Sequence, residues 1–206
     1  MKIIGLTGGI ACGKTTVSKF LQEKKIPVID ADKIAWQLAE PGHGLWQKYV
    51  DRYGQKVLQE NQSLNRQAVA NIVFAQPEEK AWLDSVAGHL ILQEIQQQLA
   101  NYAVGQAALV CIDIPLLYEF GWEYLMDVIW VVSVSQEMQL ARLEARNGYS
   151  RAEAQRRIAA QMPLALKCQK ADVVIDNNEG VEQLYPQIEK ALQQIMSQEK
   201  CDSPAQ

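Results

Sequence analysis

Short runs of apolar residues recur along the chain, separated by longer amphipathic segments. The runs lie at residues 2–7, 26–29, 107–114, 127–134 and 171–175. Runs of this length, bounded by turn residues, are typical of buried strands in a parallel sheet. Between the first two runs, Val17, Phe20 and Leu21 recur at helical spacing and predict a helix over 14–25. This succession of strand, helix and strand predicts a right-handed βαβ unit.

The middle of the chain has a different pattern. Residues 45–103 are rich in glutamine and amphipathic, and no run among them resembles a central strand. Amphipathic segments at 135–147 and 181–197 follow the last strands and predict helices. The simplest architecture is therefore an α/β fold in which five parallel strands carry a helical insertion at 45–103. The polar last residues, 199–206, are expected to form a flexible tail.

Composition narrows the possible functions. The 206 residues are 48% hydrophobic and 21% charged with a formal net charge of −4, which disfavours a nucleic-acid binder that relies on overall positive charge. No segment reaches the roughly 18 uninterrupted apolar residues of a membrane span. The four cysteines are scattered without the spacing of a zinc site, which suits a reducing compartment. We therefore expect a cytoplasmic monomer or weak homo-oligomer, with neither nucleic acid nor membrane as partner.

The strongest chemical signal is a glycine-rich segment directly after the first predicted strand. Residues 8–15 match the phosphate-binding pattern G-x-x-x-x-G-K-[ST] at every fixed position. Glycines let the backbone turn its N–H groups towards an anion, and the following helix adds the positive end of its dipole. Lys14 is expected to bridge the β- and γ-phosphates of ATP, and the Thr15 hydroxyl to ligate Mg²⁺. The residues expected to bind the nucleotide are Gly8, Gly9, Ala11, Cys12, Gly13, Lys14, Thr15 and Thr16.

Two other nucleotide-binding classes lack their signals in this sequence. The dinucleotide pattern G-x-G-x-x-G is absent, which disfavours NAD, and no N-K-x-D that would read guanine occurs. Small-molecule kinases instead need arginines that close over the phosphates. Five of the seven arginines lie at 142, 146, 151, 156 and 157. A solvated helix face with ion pairs to Glu144 and Glu153 explains this cluster equally well, but its place after a predicted strand favours a lid.

Three aspartates follow predicted strands, at the edge where ligands collect in such folds. Asp30 and Asp32 end the second strand, and Asp113 ends the third. One of the first two caps the next helix in the simplest interpretation, and we assign that role to Asp30. Asp32 is then the candidate base that orients an acceptor hydroxyl and takes its proton. Asp113 is expected to hold Mg²⁺ through water, although a turn residue before Pro115 is the plainer alternative.

Taken in order, these segments resemble the dephospho-CoA kinase family over nearly the whole chain, from Met1 to about Met196. The phosphate-binding loop is shared by many families, so other segments make the resemblance specific. They are Val28 to Asp32, Glu40-Pro41-Gly42, Phe74, Pro77 to Lys80, Asp113 to Glu119, Arg142 to Gly148, Arg157 to Gln161 and Ala171 to Asn177.

The resemblance implies a P-loop NTPase three-layer fold with a core, a helical CoA-side domain and a lid. The expected core comprises 1–44, 104–141 and 163–198, with the CoA-side insertion at 45–103 and the lid at 142–162. The implied reaction is ATP-dependent phosphorylation of the ribose 3′-hydroxyl of dephospho-CoA, the last step of CoA biosynthesis.

The resemblance also implies roles for individual residues. Asp32 becomes the acceptor-site carboxylate with Thr7 beside it, Lys14 and Arg142 stabilise the moving phosphoryl group, and Asn177 lies near adenine. Cys12 replaces the serine that is common in the family's loop. Since the loop binds phosphate through backbone N–H groups, this change should cost little, but an exposed Cys12 would make ATP binding sensitive to oxidation.

Two alternatives remain open. A kinase of another nucleoside or nucleotide-like acceptor shares every argument about the phosphate-binding loop, and only the acceptor-site segments and a substrate panel separate it. A non-catalytic, ATP-responsive module would bind nucleotide without turnover, and it leaves Asp32 and the arginine cluster without a chemical purpose.

Overall fold

A computed structural model describes residues 1–201, without the side chains of residues 74, 75 and 198–201. Its sheet has five strands in the order β2-β3-β1-β4-β5. They are β1 (Lys2–Gly8), β2 (Val28–Asp30), β3 (Leu109–Asp113), β4 (Val128–Ser133) and β5 (Val173–Asp176). Strand β1 pairs in parallel with β3 and β4, and β4 pairs in parallel with β5. The predicted five-stranded parallel sheet is confirmed.

The chain divides into two compact units, 1–28 with 108–206 and 29–107. The helices of the first unit are α1 (Lys14–Glu23), α6 (Gln136–Asn147), α7 (Arg151–Ala159), α8 (Leu164–Lys170) and α9 (Val181–Cys201). Those of the second are α2 (Ala31–Leu38), α3 (Gly44–Tyr53), α4 (Arg66–Ala75) and α5 (Pro77–Val104).

Side chains alternate between the two faces of the central strand β1. Ile4 and Leu6 are buried in a core cluster with residues of α1 and α9. Gly5 lies on the other face, where a Cβ atom would come within 2.7 Å of the Met126 side chain and 2.9 Å of Leu117. Both faces of the strand are therefore covered, as the continuous apolar run at 2–7 predicts.

The unit formed by 29–107 is helical and has its own core. Leu45, Tyr49, Tyr53, Val57 and Val69 form its buried cluster. Helix α2 packs against α3 and α5, so this unit begins at Ile29, whereas the insertion expected from the sequence begins at residue 45. The difference arises because α2 follows the second strand directly, and its sequence gives no sign of which helices it will contact.

The last helix continues beyond the segment expected to be helical. Helix α9 ends at Cys201, so residues 199–201 of the expected tail extend the helix backbone, and 202–206 lie outside the described residues. Among the helices of residues 1–201, none combines the length and apolarity needed to cross a bilayer.

Candidate active site

The glycine-rich loop lies where β1 ends and α1 begins, as its sequence context predicts. A Cβ atom on Gly8 would lie 2.7 Å from the Val132 carbonyl oxygen of β4. Gly13 has a φ of 89°, and a Cβ atom there would lie 2.2 Å from Nδ2 of Asn177. Both glycines at fixed motif positions are thus required by close packing, and Gly13 also by its left-handed backbone.

The start of α1 is suited to hold an anion. Among the described residues, no side chain caps this helix, and its first turn carries no acidic residue. Thr15 is exposed in that turn, and the N–H of Thr16 donates to the Gly13 carbonyl at 2.9 Å. The first N–H groups of a helix lack intrahelical acceptors and carry the positive end of the dipole, so this end favours a phosphate group.

Lys14 and Asp113 form an ion pair. Their side chains are only 16% and 4% exposed, and Asp113 is the last residue of β3, paired in register with Leu6 of β1. The two residues predicted separately, one for phosphate and one for metal, therefore lie together at the carboxyl edge of the sheet. The pair places one cation and one carboxylate beside the phosphate-binding loop.

Arg142 and Asn177 both lie against the outside of the loop. The Arg142 guanidinium donates to the carbonyl of Ala11 at 3.2 Å and to that of Asn177 at 2.9 Å. The buried amide of Asn177 donates to the Cys12 carbonyl at 2.8 Å. In this structure both side chains hold loop backbone, and their expected contacts with the phosphoryl group and with adenine stay predictions.

Two other arginines of the predicted cluster make surface contacts. Arg151 on α7 binds Glu137 at 2.8 Å, and Arg157 binds Glu153 at 3.0 Å. Arg157 also lies over the Tyr149 ring, 4.2 Å from its centroid. The cluster is thus divided, because Arg142 reaches the phosphate-binding loop while Arg151 and Arg157 form the ion pairs of a solvated face.

Thr7 is fully buried at the end of β1. Its hydroxyl donates to the Pro115 carbonyl at 3.1 Å, and the buried ammonium of Lys167 donates to the same oxygen at 2.9 Å. Lys167 also pairs with Glu119 at 2.8 Å. The Thr7 hydroxyl thus helps to hold the segment after β3, and its expected contact with the acceptor stays a prediction.

Cys12 faces the core. Its side chain is 1% exposed and belongs to the cluster under α1. Burial raises the pKa of the Cys12 thiol to about 11, so at neutral pH it is protonated and shielded. The condition for oxidation-sensitive nucleotide binding, an exposed Cys12, is therefore not met.

In the helical unit, Asp30 caps α2 as predicted, because its carboxylate accepts the N–H of Lys33 at 3.0 Å. Asp32 is exposed in the first turn of the same helix. It lines a cavity of about 430 Å³ whose walls are mostly apolar. Arg66 lines the cavity as well and lies over the Trp36 ring, 3.4 Å from its centroid.

Two glutamines at the loop were not foreseen. Gln139 on α6 donates to the Ile10 carbonyl at 2.8 Å, and Gln161, just after α7, accepts the Ile10 N–H at 2.8 Å. Two signals existed in the sequence. Gln139 precedes Arg142 by three positions and so shares its helix face, and Gln161 ends one of the segments that carry the family resemblance.

The central strand of this parallel sheet leads through a glycine-rich loop into an uncapped helix, and a lysine and a carboxylate are paired beside the loop. This arrangement defines a P-loop protein that binds nucleoside triphosphates. A family model described as dephospho-CoA kinase matches residues 2–183.

Relatives and solved structures agree with this match. A dephospho-CoA kinase of Carboxydothermus hydrogenoformans is 46% identical over 193 residues, which cover 94% of each chain. The structure of TT1252 from Thermus thermophilus is 31% identical with a TM-score of 0.80, over 96% of this chain and 97% of the other. That of a dephospho-CoA kinase from Campylobacter jejuni is 27% identical with a TM-score of 0.71, over 95% and 98%.

This chain belongs to the dephospho-CoA kinase family. The predicted family, fold class and kinase function are confirmed.

Proposed function

We propose that this chain transfers the γ-phosphoryl group of ATP to the ribose 3′-hydroxyl of dephospho-CoA, with Lys14 as the central cation and Asp32 as the base. The observation that carries the proposal is the phosphate cradle of residues 8–15 with the Lys14–Asp113 pair beside it. Transfer is in line, without a covalent enzyme intermediate, so the protein contributes positioning, charge neutralisation and exclusion of water.

Lys14 acts on both the resting site and the transferred group. It neutralises the carboxylate of Asp113 in this structure, and the phosphates of ATP compete for the same ammonium when nucleotide binds. Lys14 then stabilises the charge that develops on the transferred group. Arg142, held beside the loop by two carbonyl groups, is the second cation near the phosphates.

The residues at the loop fit Mg²⁺. Thr15 offers an exposed hydroxyl and Asp113 a carboxylate, and hard oxygen ligands are those that Mg²⁺ prefers. The described residues contain no group of three or more acidic, histidine or cysteine side chains that form a metal cage. This agrees with the usual Mg²⁺ site, which combines one or two protein ligands with water and substrate phosphates. The bound ion supplies charge neutralisation at the phosphates.

Asp32 is the proposed base. Asp32 is exposed in the first turn of α2. Because Asp30 caps this helix, Asp32 is not needed as the cap. We assign Asp32 to orient the acceptor hydroxyl and to accept its proton during transfer.

The cavity of the helical unit is the proposed acceptor pocket. Its apolar walls suit an extended aliphatic chain, and the guanidinium of Arg66 suits the phosphate groups of a nucleotide. Burial raises the pKa of Tyr49, which also lines the cavity, to about 12, so its hydroxyl stays protonated and can donate a hydrogen bond.

The acceptor pocket is tested with Arg66→Met. We expect the KM for dephospho-CoA to rise about tenfold, with the KM for ATP unchanged. Lys48→Met is the matched control, because Lys48 is an exposed cation on α3 of the same unit and lies outside the cavity lining. An equal effect of the two variants on dephospho-CoA would contradict the assignment.

The segment 142–162 is the proposed lid. Helix α7 packs Ala154 and Ile158 against Leu140 and Leu143 of α6, and Gly148 ends α6 with a left-handed φ of 67°. A glycine in this conformation between two helices is suited to act as a hinge.

The free thiols of Cys12, Cys111 and Cys168 suit a location in a reducing cytoplasm.

The function is tested with purified protein, Mg-ATP and a panel of acceptors, with products identified by mass spectrometry. Dephospho-CoA should yield CoA and ADP in equal amounts, and Asp32→Asn should lower kcat by roughly 10²–10⁴-fold. Asp30→Asn is the matched control, since asparagine also caps helices well. Preferential phosphorylation of another nucleoside or nucleotide would show that dephospho-CoA is not the acceptor. ATP binding without turnover would show that the chain is a regulatory module and not an enzyme.

A further inference from the structure

Gln139 is a buried amide on the outer side of the phosphate-binding loop. Its side chain projects from α6, is 3% exposed, and donates from Nε2 to the Ile10 carbonyl at 2.8 Å. The side chain lies so close to the loop that a Cβ atom on Gly9 would come within 2.5 Å of Nε2. Gly9 is not a fixed position of the motif, and a larger residue there would displace the Gln139 amide.

Gln139 is one of three donors that bind successive loop carbonyls. Gln139 binds Ile10 at 2.8 Å, Arg142 binds Ala11 at 3.2 Å, and Asn177 binds Cys12 at 2.8 Å. All three donors reach the loop from α6 or from the residue after β5.

Carbonyls held in this way determine where the N–H groups point. In a planar trans peptide, the carbonyl of one residue and the N–H of the next point in opposite directions. Since these donors bind the carbonyls of residues 10–12, the N–H groups of Ala11 and Gly13 point away from them, whereas the Cys12 N–H donates to the Gly9 carbonyl at 3.2 Å. N–H groups that converge on one side of a loop form the concavity that binds phosphate.

We infer that Gln139 is a positioning residue for nucleotide binding. It acts through the Ile10 carbonyl, which it keeps turned outwards so that the loop binds phosphate without first rearranging. A freed carbonyl could turn towards the phosphates and would repel them. The inference rests on the proposed function only in that the loop binds ATP, and it holds for any acceptor.

The test is calorimetric titration of the full chain with Mg-ATP and no acceptor, so that a wrong acceptor assignment leaves the result unaffected. Gln139→Met keeps the length of the side chain but removes the donor, and we expect the Kd for Mg-ATP to rise about tenfold at every pH. Gln139→Glu should bind much more weakly than wild type at pH 8.5, where the introduced carboxylate repels the Ile10 carbonyl. At pH 5.5 the introduced carboxyl group, once protonated, donates again, and we expect the ratio of this variant's Kd to that of wild type to fall several-fold.

Gln136→Glu is the matched control. Gln136 lies three positions earlier on α6 and is exposed, so the same charge change there should leave Kd within about twofold of wild type. Thermal midpoints of all variants are measured in parallel and identify any variant that fails to fold. If one Gln139 variant does not fold, the Kd of the other Gln139 variant decides the test. Wild-type affinity in Gln139→Met overturns the inference, and so does wild-type affinity in Gln139→Glu at pH 8.5.

Discussion

At the scale of single residues, the Lys14–Asp113 pair connects stability with catalysis. Both side chains are largely buried at the carboxyl edge of the sheet. Removing one partner from such a pair leaves a buried charge without its opposite charge, which costs far more than removing both. Lys14 therefore contributes to folding as well as to the proposed transfer of the phosphoryl group.

A double-mutant cycle tests this dual role. We expect Lys14→Met to lower the free energy of unfolding by roughly 3–5 kcal/mol, and Lys14→Met with Asp113→Asn to recover most of the loss. Activity should stay low in both variants, because neither retains the ammonium. Urea unfolding followed by tryptophan fluorescence measures the first quantity, and a kinase assay the second. A double variant as unstable as Lys14→Met alone would contradict the pairing.

At the scale of elements, the helical unit holds α3 and α5 together through Glu79. Its carboxylate accepts two hydrogen bonds from Arg52, at 2.6 and 2.9 Å, and one from the Tyr53 hydroxyl at 2.5 Å. Arg52 also lies over the Trp82 ring, 4.3 Å from its centroid. The hydrogen bonds from Arg52, and then that from Tyr53, lower the pKa of Glu79 from its ordinary value of 4.5 to about 2.

This shift predicts a pH dependence of stability. A carboxylate whose pKa is lower in the folded state stabilises the fold above its ordinary pKa, and the contribution is lost as pH falls towards the folded value. Glu79→Gln should therefore be less stable than wild type at pH 7, and the difference should shrink between about pH 4.5 and pH 2. Urea unfolding across this range measures it, with the exposed neighbour Glu78→Gln as control. A difference that stays constant with pH would rule the network out as its source.

The proposed lid is tested at the same scale by hydrogen exchange. Exclusion of water during transfer requires closure, and we expect amides of α7 to exchange more slowly with a non-hydrolysable ATP analogue and dephospho-CoA together than with either alone. Amides of α9, on the core, provide the internal reference. Exchange in α7 that is unchanged by the two ligands together would show that 142–162 does not close.

At the scale of the whole molecule, the sequence predicted those elements whose pattern lies within one short segment. The run at 107–114 became β3 (Leu109–Asp113), and the segment 135–147 became α6 (Gln136–Asn147). Such elements are recognisable because burial on both faces demands continuous apolar runs, and burial on one helix face demands a spacing of three to four. The phosphate-binding loop was recognised for the same reason, since its chemistry is local.

Contacts between distant segments were not visible in the sequence. The bond from Gln139 to Ile10 and the bond from Thr7 to Pro115 each join residues more than a hundred positions apart. Both depend on how the strands are ordered in the sheet, and a residue's type alone does not indicate its partner. Cys12 illustrates the same limit, because only packing decides that its side chain faces the core.

The reaction proposed for this chain is phosphorylation of the ribose 3′-hydroxyl of dephospho-CoA by ATP. Phosphorus NMR of the reaction mixture with Mg-ATP tests it most directly. We expect ADP and one new phosphomonoester in equal amounts, with the new phosphorus coupled to the ribose 3′ proton. A phosphomonoester at another position, or ADP formed only with inorganic phosphate, would contradict it.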